Sequence, residues 1–333
     1  MSLIFIFIDG VGLAPAGPDN PLADAATPAL RRLLGGPLTI EQTGSWELGT
    51  GGQAPASSAQ LPTPIPPLLF KPIDATLGVP GLPQSGTGHT ALLAGVNAAA
   101  LHGRHQPHFP PVALRGLLAE RSIFRRAVER GFRATFANAF GPGYWQALAA
   151  RRIRKSASVF AAEGAGLRFR DGDDLRAGEA VSWDVTNAAM RLREPGVATP
   201  LVTPAQAGAN LARLGRDHEL VFYESFLPDL AGHGRLEPSV EHSDAQTLGH
   251  FDERAQIHAA MALLDGLIGG ALAELRPGDT LLLTSDHGNV ESLAAPAHTR
   301  NPVPLLAVGA GAAAFASVAS IAEIADAIER VVD

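Results

Sequence analysis

A chain of 333 residues, 46% hydrophobic and 18% charged, holds enough apolar content for a large core and for two domains, and excludes a disordered chain. Its net charge of −7 is spread without a basic stripe, which argues against nucleic acid as a partner; small anions must be attracted locally, by metals or arginines. Cysteine is absent, which excludes disulfides, thiolate zinc sites and cysteine nucleophiles and fits a cytoplasmic protein.

The apolar run from Met1 to Ile8 lacks a basic leader and stops at Asp9-Gly10, too early for a signal peptide or a membrane span. It reads as a central strand, and Asp9 at its end is either a turn residue or a metal ligand. Thr27-Pro28 predicts the start of a short helix, with Thr27 as its cap. From Gly35 to Pro83, Gly, Pro, Ser and Thr dominate, and strands with long loops are expected.

Ser85-Gly86-Thr87-Gly88-His89 then leads into the helical Ala91-Leu92-Leu93-Ala94. Small residues around a hydroxyl at a helix mouth suit an anion held by backbone N–H groups, or else an ordinary Ser or Thr cap. Residues 97–216 change character: short helices from Leu114 and Ile123, a strand at Ala134 to Ala137, and a helix from Gln206 to Leu214 predict an inserted α/β cap of about domain size. Its three histidines, His102, His105 and His108, suit a solvated loop better than a metal site.

The core resumes with a strand at Leu220 to Glu224, followed by Asp229 and His233, four apart and so on one face of a helical turn. Ile257, Met261, Leu264, Ile268, Leu272 and Leu275 recur at three or four and mark the buried stripe of a long helix. The strand Leu281 to Leu283 delivers Asp286 and His287 side by side at its carboxyl end, where open α/β sheets carry their chemistry. A loop holding His298 and Arg300 leads to a strand at Leu305 to Val308, and Ser320 to Glu323 is a capping-box pattern opening the last helix.

Asp9, Ser85, Asp229 with His233, Asp286 with His287, and His298 each stand at or just after a strand end or a helix mouth. Three carboxylates, three imidazoles and a hydroxyl suffice to hold two divalent ions and leave room for substrate.

In order, Asp9-Gly10, Ser85 to His89, Asp229 to His233, Asp286-His287-Gly288-Asn289 and His298 to Pro304 resemble the alkaline phosphatase superfamily, in its metalloenzyme branch of cofactor-independent phosphoglycerate mutase and phosphopentomutase. The resemblance implies a core of residues 1–96 and 217–333, a mostly parallel sheet between helices, with 97–216 as the inserted smaller cap. It implies that Asp229, His233 and His298 bind one metal, and Asp9, Asp286, His287 and the Ser85 oxygen the other, with Mn2+ or Zn2+ as the ions. Ser85 is the implied nucleophile because it lies four residues before His89. The implied activity is phosphoryl transfer on a small phosphate ester through a phosphoserine, of mutase or phosphatase type; the alternatives are a phosphodiesterase or phosphonate hydrolase of the same superfamily, or a non-catalytic metal-binding relative. The branch's core lysine and its paired substrate arginines have no counterpart here. Arg300, His89 and Arg104 are the substrate-binding candidates, with Arg168 and Arg170 as further ones. The expected partner is a small phosphorylated metabolite, with no nucleic acid and no membrane.

Overall fold

The computed structural model describes residues 1–46, 67–194, 196–236, 252–295 and 297–332; part of the Gly35 to Pro83 stretch lies outside them. Seven strands form one sheet: β1 Leu3–Ile8, β2 Gly44–Trp46, β3 Leu68–Ile73, β4 Ala134–Phe136, β5 Leu220–Ser225, β6 Thr280–Thr284 and β7 Val303–Gly309. Their order across the sheet is β2-β3-β7-β6-β1-β5-β4. The half made of β6, β1, β5 and β4 is parallel throughout, while β7 runs against both β6 and β3. Because β3 turns back against β7, five of the seven strands point the same way.

The central strands are apolar on both faces because both faces are covered. Along β1, Leu3, Phe5 and Phe7 enter one core cluster while Ile4, Ile6 and Ile8 enter the other. Strand β5 alternates in the same way, with Leu220 and Phe222 on the first face and Val221 and Tyr223 on the second. Helices Ser85–Ala94, Ile123–Glu129, Ala157–Gly164 and Ile324–Val332 supply residues to the first cluster. Helices Pro28–Leu34, Pro204–Leu214 and Glu253–Glu274 supply the second. Helix Glu253–Glu274 is long and apolar enough to cross a membrane by length and composition, and its stripe of Ile257, Met261, Leu264 and Ile268 is buried on the sheet.

Two local expectations are corrected. Thr27 makes no side-chain cap bond; the carboxylate of Asp265, from the long helix, accepts the N–H groups of Ala29 and Leu30 at 2.9 and 2.8 Å. A remote carboxylate can do what a local hydroxyl would, provided packing brings it to the helix mouth. At the last helix Ser320 does not accept a capping bond from the backbone, and Glu323 instead takes the N–H of Ala319 at 2.9 Å.

The segment 97–216 does not stand apart from the core. Strand β4 lies within it and pairs with β5, and its Phe124, Phe136 and Val159 share a cluster with Phe5 and Phe7. Helix Pro204–Leu214 packs on helix Glu253–Glu274, where Gly208 and Gly270 allow backbone approach: an added Cβ would come within 1.9 Å of the Leu267 carbonyl and 2.0 Å of the Ala205 carbonyl. Residues on both sides of the expected boundaries at 97 and 216 thus contribute to shared clusters. Only a minor cluster of Ala139, Leu175, Ala180 and Met190 belongs to the segment alone.

Candidate metal centre

Strands β6, β1 and β5 are parallel neighbours, so their carboxyl ends open on one side of the sheet. Asp9 follows β1 directly, and Asp286 and His287 follow β6. After β5 comes the short helix Leu227–Gly232, with Asp229 in its first turn and His233 just beyond its end. Gly10 turns the chain at φ +79°, a conformation open to glycine, and a Cβ there would stand 2.9 Å from the Cβ of Asp229. The two carboxylate-bearing turns can approach only because this side chain is missing.

Ser85 is the first residue of helix Ser85–Ala94, one position inside the cap, and its hydroxyl points at His287 with Oγ 3.0 Å from Nε2. Of the two roles left open for this hydroxyl, the capping role is not the one adopted. Gly88, one turn on, lies against Asp286, where a Cβ would come within 2.9 Å of the Asp286 Cβ.

Around Ser85 the first set of donors converges. The Nε2 of His287 lies 3.1 Å from Asp9 Oδ1 and 3.4 Å from Asp286 Oδ2. The Nε2 of His89 lies 3.1 Å from Asp9 Oδ2 and 3.3 Å from Asp286 Oδ2. His89, a candidate for substrate binding from the sequence, is thus wedged between two carboxylates and buried. Beside this set, the Nε2 atoms of His233 and His298 are 3.3 Å apart and stand 3.3 and 3.4 Å from Asp229 Oδ1. The rings of His287 and His298 stack at 3.8 Å and join the two sets. Asp9, His89 and Asp286 form one trio within reach of a single ion, and Asp229, His287 and His298 form another. His287 thus stands between the two groups rather than belonging only with Asp9 and Asp286.

These residues fit divalent cations on chemical grounds. Asp9 Oδ1 and both carboxylate oxygens of Asp286 are buried without a hydrogen-bond partner, a costly state for a carboxylate unless a cation meets it. The facing Nε2 atoms of His233 and His298 are satisfied together when both lone pairs turn to one positive centre. A mixed oxygen and imidazole set suits a hard or borderline ion.

With protons in place of ions, the electrostatics report the same pressure. Burial raises the Asp9 carboxyl, but His89 and His287 outweigh it and hold Asp9 below the usual carboxylate range. Burial also disfavours the charged imidazole of His287, yet Asp286 and Asp9 push it up to about 9. His89 is raised for the same reason by Asp286 and Asp9 against its burial. Asp286 is raised by burial and by the charge of Asp9. Burial raises Asp229, and hydrogen bonds from His233 and His298 override it downward. Three carboxylates packed this closely demand positive charge between them.

A second layer holds these side chains, and most of it carries no sequence motif. Asn289 donates to Asp229 Oδ1 at 2.8 Å, and His298 Nδ1 bonds the Pro83 carbonyl at 2.9 Å, which leaves Nε2 free to face Asp229. The carboxylate of Glu291, buried, accepts from the N–H groups of Gly12 at 2.9 Å and Asn289 at 2.8 Å, from Asn301 Nδ2 at 3.0 Å and from the Thr299 hydroxyl. It ties the turn after β1, the turn after β6 and the His298 loop into one unit. Sequence reading missed Glu291, and the available signal was an acidic residue two after Asn289 in an otherwise small and apolar loop. Glu224 at the end of β5 was also missed; burial raises it to about 7, and it accepts from the Ser158 hydroxyl.

The remaining candidates fall outside the centre. Arg300 is exposed and donates to the Gly81 carbonyl, and Arg104 is exposed. Arg168 pairs with Asp174, and Arg170 donates to Thr135 Oγ1 at 3.0 Å and to the Glu179 carbonyl. Among the described residues, His102, His105 and His108 join neither trio.

The geometry is matched by sequence relatives. Residues 239–330 match the Metalloenzyme superfamily model. A phosphopentomutase of Chromohalobacter salexigens is 44% identical over 71 residues, 21% of this chain and 17% of that relative. A 2,3-bisphosphoglycerate-independent phosphoglycerate mutase of Roseobacter denitrificans is 31% identical over 149 residues, 41% of this chain and 26% of that relative. The chain thus spans no more than about a quarter of the length of these metalloenzyme relatives. Among solved structures, an alkaline phosphatase from the Antarctic bacterium TAB5 superimposes with a TM-score of 0.47 at 12% identity, over 99% of this chain and 97% of that one.

Proposed function

We propose that this protein is a two-metal phosphoryl-transfer enzyme acting on a small phosphate ester through a phosphoserine at Ser85. The observation that carries the reading is the convergence of Ser85 Oγ, His287 Nε2, Asp9 and Asp286 beside the Asp229, His233 and His298 set. Asp9, Asp286, His287 and Ser85 would hold one ion, and Asp229, His233 and His298 the other, with Mn2+ or Zn2+ compatible with the donors. Bound divalent ions lower the pKa of a coordinated hydroxyl and offset charge on phosphoryl oxygens.

The chain's own residues do the rest. The Ser85 hydroxyl gives up its proton as Oγ attacks phosphorus in line; the bond from phosphorus to the ester oxygen breaks, and the departing alkoxide takes up one proton, which balances the one lost. The opening turn of helix Ser85–Ala94 turns its partial positive charge toward the transferred group. Asp9 and Asp286, held by His89, and Asp229, held by Asn289, keep the donors in register between turnovers. Return of the phosphoryl group to another hydroxyl makes a mutase; capture by water makes a phosphatase.

The test combines elemental analysis with phosphate release from a panel of small esters, for the wild type and Ser85→Ala. Metal-dependent release with a phosphorylated Ser85, both lost in the variant, is the expected result. A purified protein that takes up no divalent metal would overturn the reading.

A further inference from the structure

Away from the metal ligands lies a cavity of about 690 Å³, lined among others by His108, Phe109, Arg115, Arg152, Ile153 and Arg154. No acidic residue is among its lining residues. In a chain of net charge −7 such a lining stands out. Among the described residues, Arg115, Arg152 and Arg154 have no carboxylate within ion-pair distance, whereas neighbouring Lys155 is paired with Glu163 at 2.6 Å. The Nε of Arg115 is buried and has no hydrogen-bond acceptor. The guanidinium of Arg115 is braced over the Phe160 ring at 5.0 Å and that of Arg154 over the Phe109 ring at 5.6 Å, so two of the three cations are oriented by stacking rather than by counter-charge. Guanidinium groups held by stacking and with no anion of their own recognise planar or tetrahedral oxyanions by paired N–H bonds.

The cavity wall also forms the floor under the Ser85 turn. Gln106 exchanges two bonds with Thr87, its carbonyl accepting from the Thr87 N–H and its own N–H donating to Thr87 Oγ1, each at 3.2 Å. Gly86 lies so close to this wall that a Cβ would come within 2.3 Å of the Phe109 carbonyl, and the Gln106 side chain braces that carbonyl at 2.8 Å. One short segment, Gln106 to Phe109, therefore separates the three arginines from the residue next to Ser85.

We propose that this cavity is an anion site that takes a phosphate or carboxylate group through Arg115, Arg152 and Arg154. The packed Gln106 to Phe109 segment lies between this cavity and Ser85, so the anion belongs to a small molecule separate from the reacting ester. A distal anion of the substrate shares the same chemistry, and two arms of one experiment tell the sources apart, the second overturning the separate-anion assignment if it points to the substrate.

The first arm uses chelator-treated protein and inorganic phosphate alone, read by equilibrium dialysis. Binding that persists without metal and weakens about tenfold or more in R152Q/R154Q supports the site; both substitutions are at exposed positions, so the fold is kept. Affinity unchanged in the double variant, or absent from the chelated wild type, overturns it. This arm stands even if the protein turns over no ester. The second arm compares a monophosphate ester of a neutral alcohol with one carrying a carboxylate. A KM raised about tenfold for the carboxylate ester only, with kcat kept, assigns the site to the substrate and overturns the separate-anion assignment. Equal KM values for both esters in the variant, with phosphate binding lost, are the expected result and assign it to a separate anion.

Discussion

Glu291 shows how much of the centre is held from outside it. One carboxylate closes bonds to two backbone N–H groups, a hydroxyl and an amide, and none of these partners lies near it on a helix or strand. Glu291→Gln turns an acceptor into a donor against two N–H groups, so a loss of about 2–3 kcal/mol is expected. Because those partners set the turns that carry Asp9, His287 and His298, metal affinity should also fall by about 10–100-fold. Urea unfolding and metal titration of the same variant check both, and an unfolding midpoint shift without an affinity change would reduce Glu291 to a structural brace. Ser85→Ala makes a contrasting prediction at the same scale: turnover falls by at least about a thousandfold while the unfolding midpoint moves little. Ser85, Asp229 and Asp286 were legible in the sequence because each follows a strand or opens a helix. Glu291 and the trapped position of His89 were not, because each depends on a remote partner, Gly12 for Glu291 and Asp9 and Asp286 for His89.

At the scale of elements, long-range side chains replace local caps. Asp265→Ala leaves the first turn of helix Pro28–Leu34 without its acceptor and should cost about 1–2 kcal/mol, with activity unchanged. An unfolding series at fixed pH measures it. The edge pair of β4 and β5 gives the pH dependence. Hydrogen bonds from Arg133 hold Glu219 down to about 2, below its ordinary 4.5. A carboxyl with a depressed folded-state pKa adds stability above its unfolded pKa, and that contribution fades as pH falls from about 4.5 toward 2. Arg133 is largely exposed, so solvent screening keeps the pair's contribution small. The wild type and Glu219→Gln should therefore differ at pH 6 and coincide near pH 2; a constant difference would place the effect elsewhere than in the charge.

Over the whole molecule, metal and fold are linked. Buried, unpartnered oxygens on Asp9 and Asp286 mean that a cation stabilises the folded state more than the unfolded one. A free ion at about 100 times its Kd adds about 2.7 kcal/mol, visible as a thermal midpoint that falls on chelation and recovers on readdition. No change on chelation would contradict the fit of the donor set. Segment 97–216 makes the complementary prediction: because β4 extends the sheet and Phe124, Phe136 and Val159 fill the core beside Phe5, excising it should abolish cooperative unfolding rather than release an intact core. Scanning calorimetry of the excised chain is the check.

Sequence by itself determined the α/β class, the buried strands, the long helix and the positions where carboxylates and imidazoles end strands, since periodicity and turn chemistry are local. Tertiary structure alone decided which donors meet, that the segment from 97 to 216 shares the core, and that three arginines stand unpaired behind the Ser85 turn. Those outcomes depend on which strands become neighbours and which turns abut, and contacts such as the Leu13 N–H to the Pro302 carbonyl are fixed by packing, not by spacing along the chain.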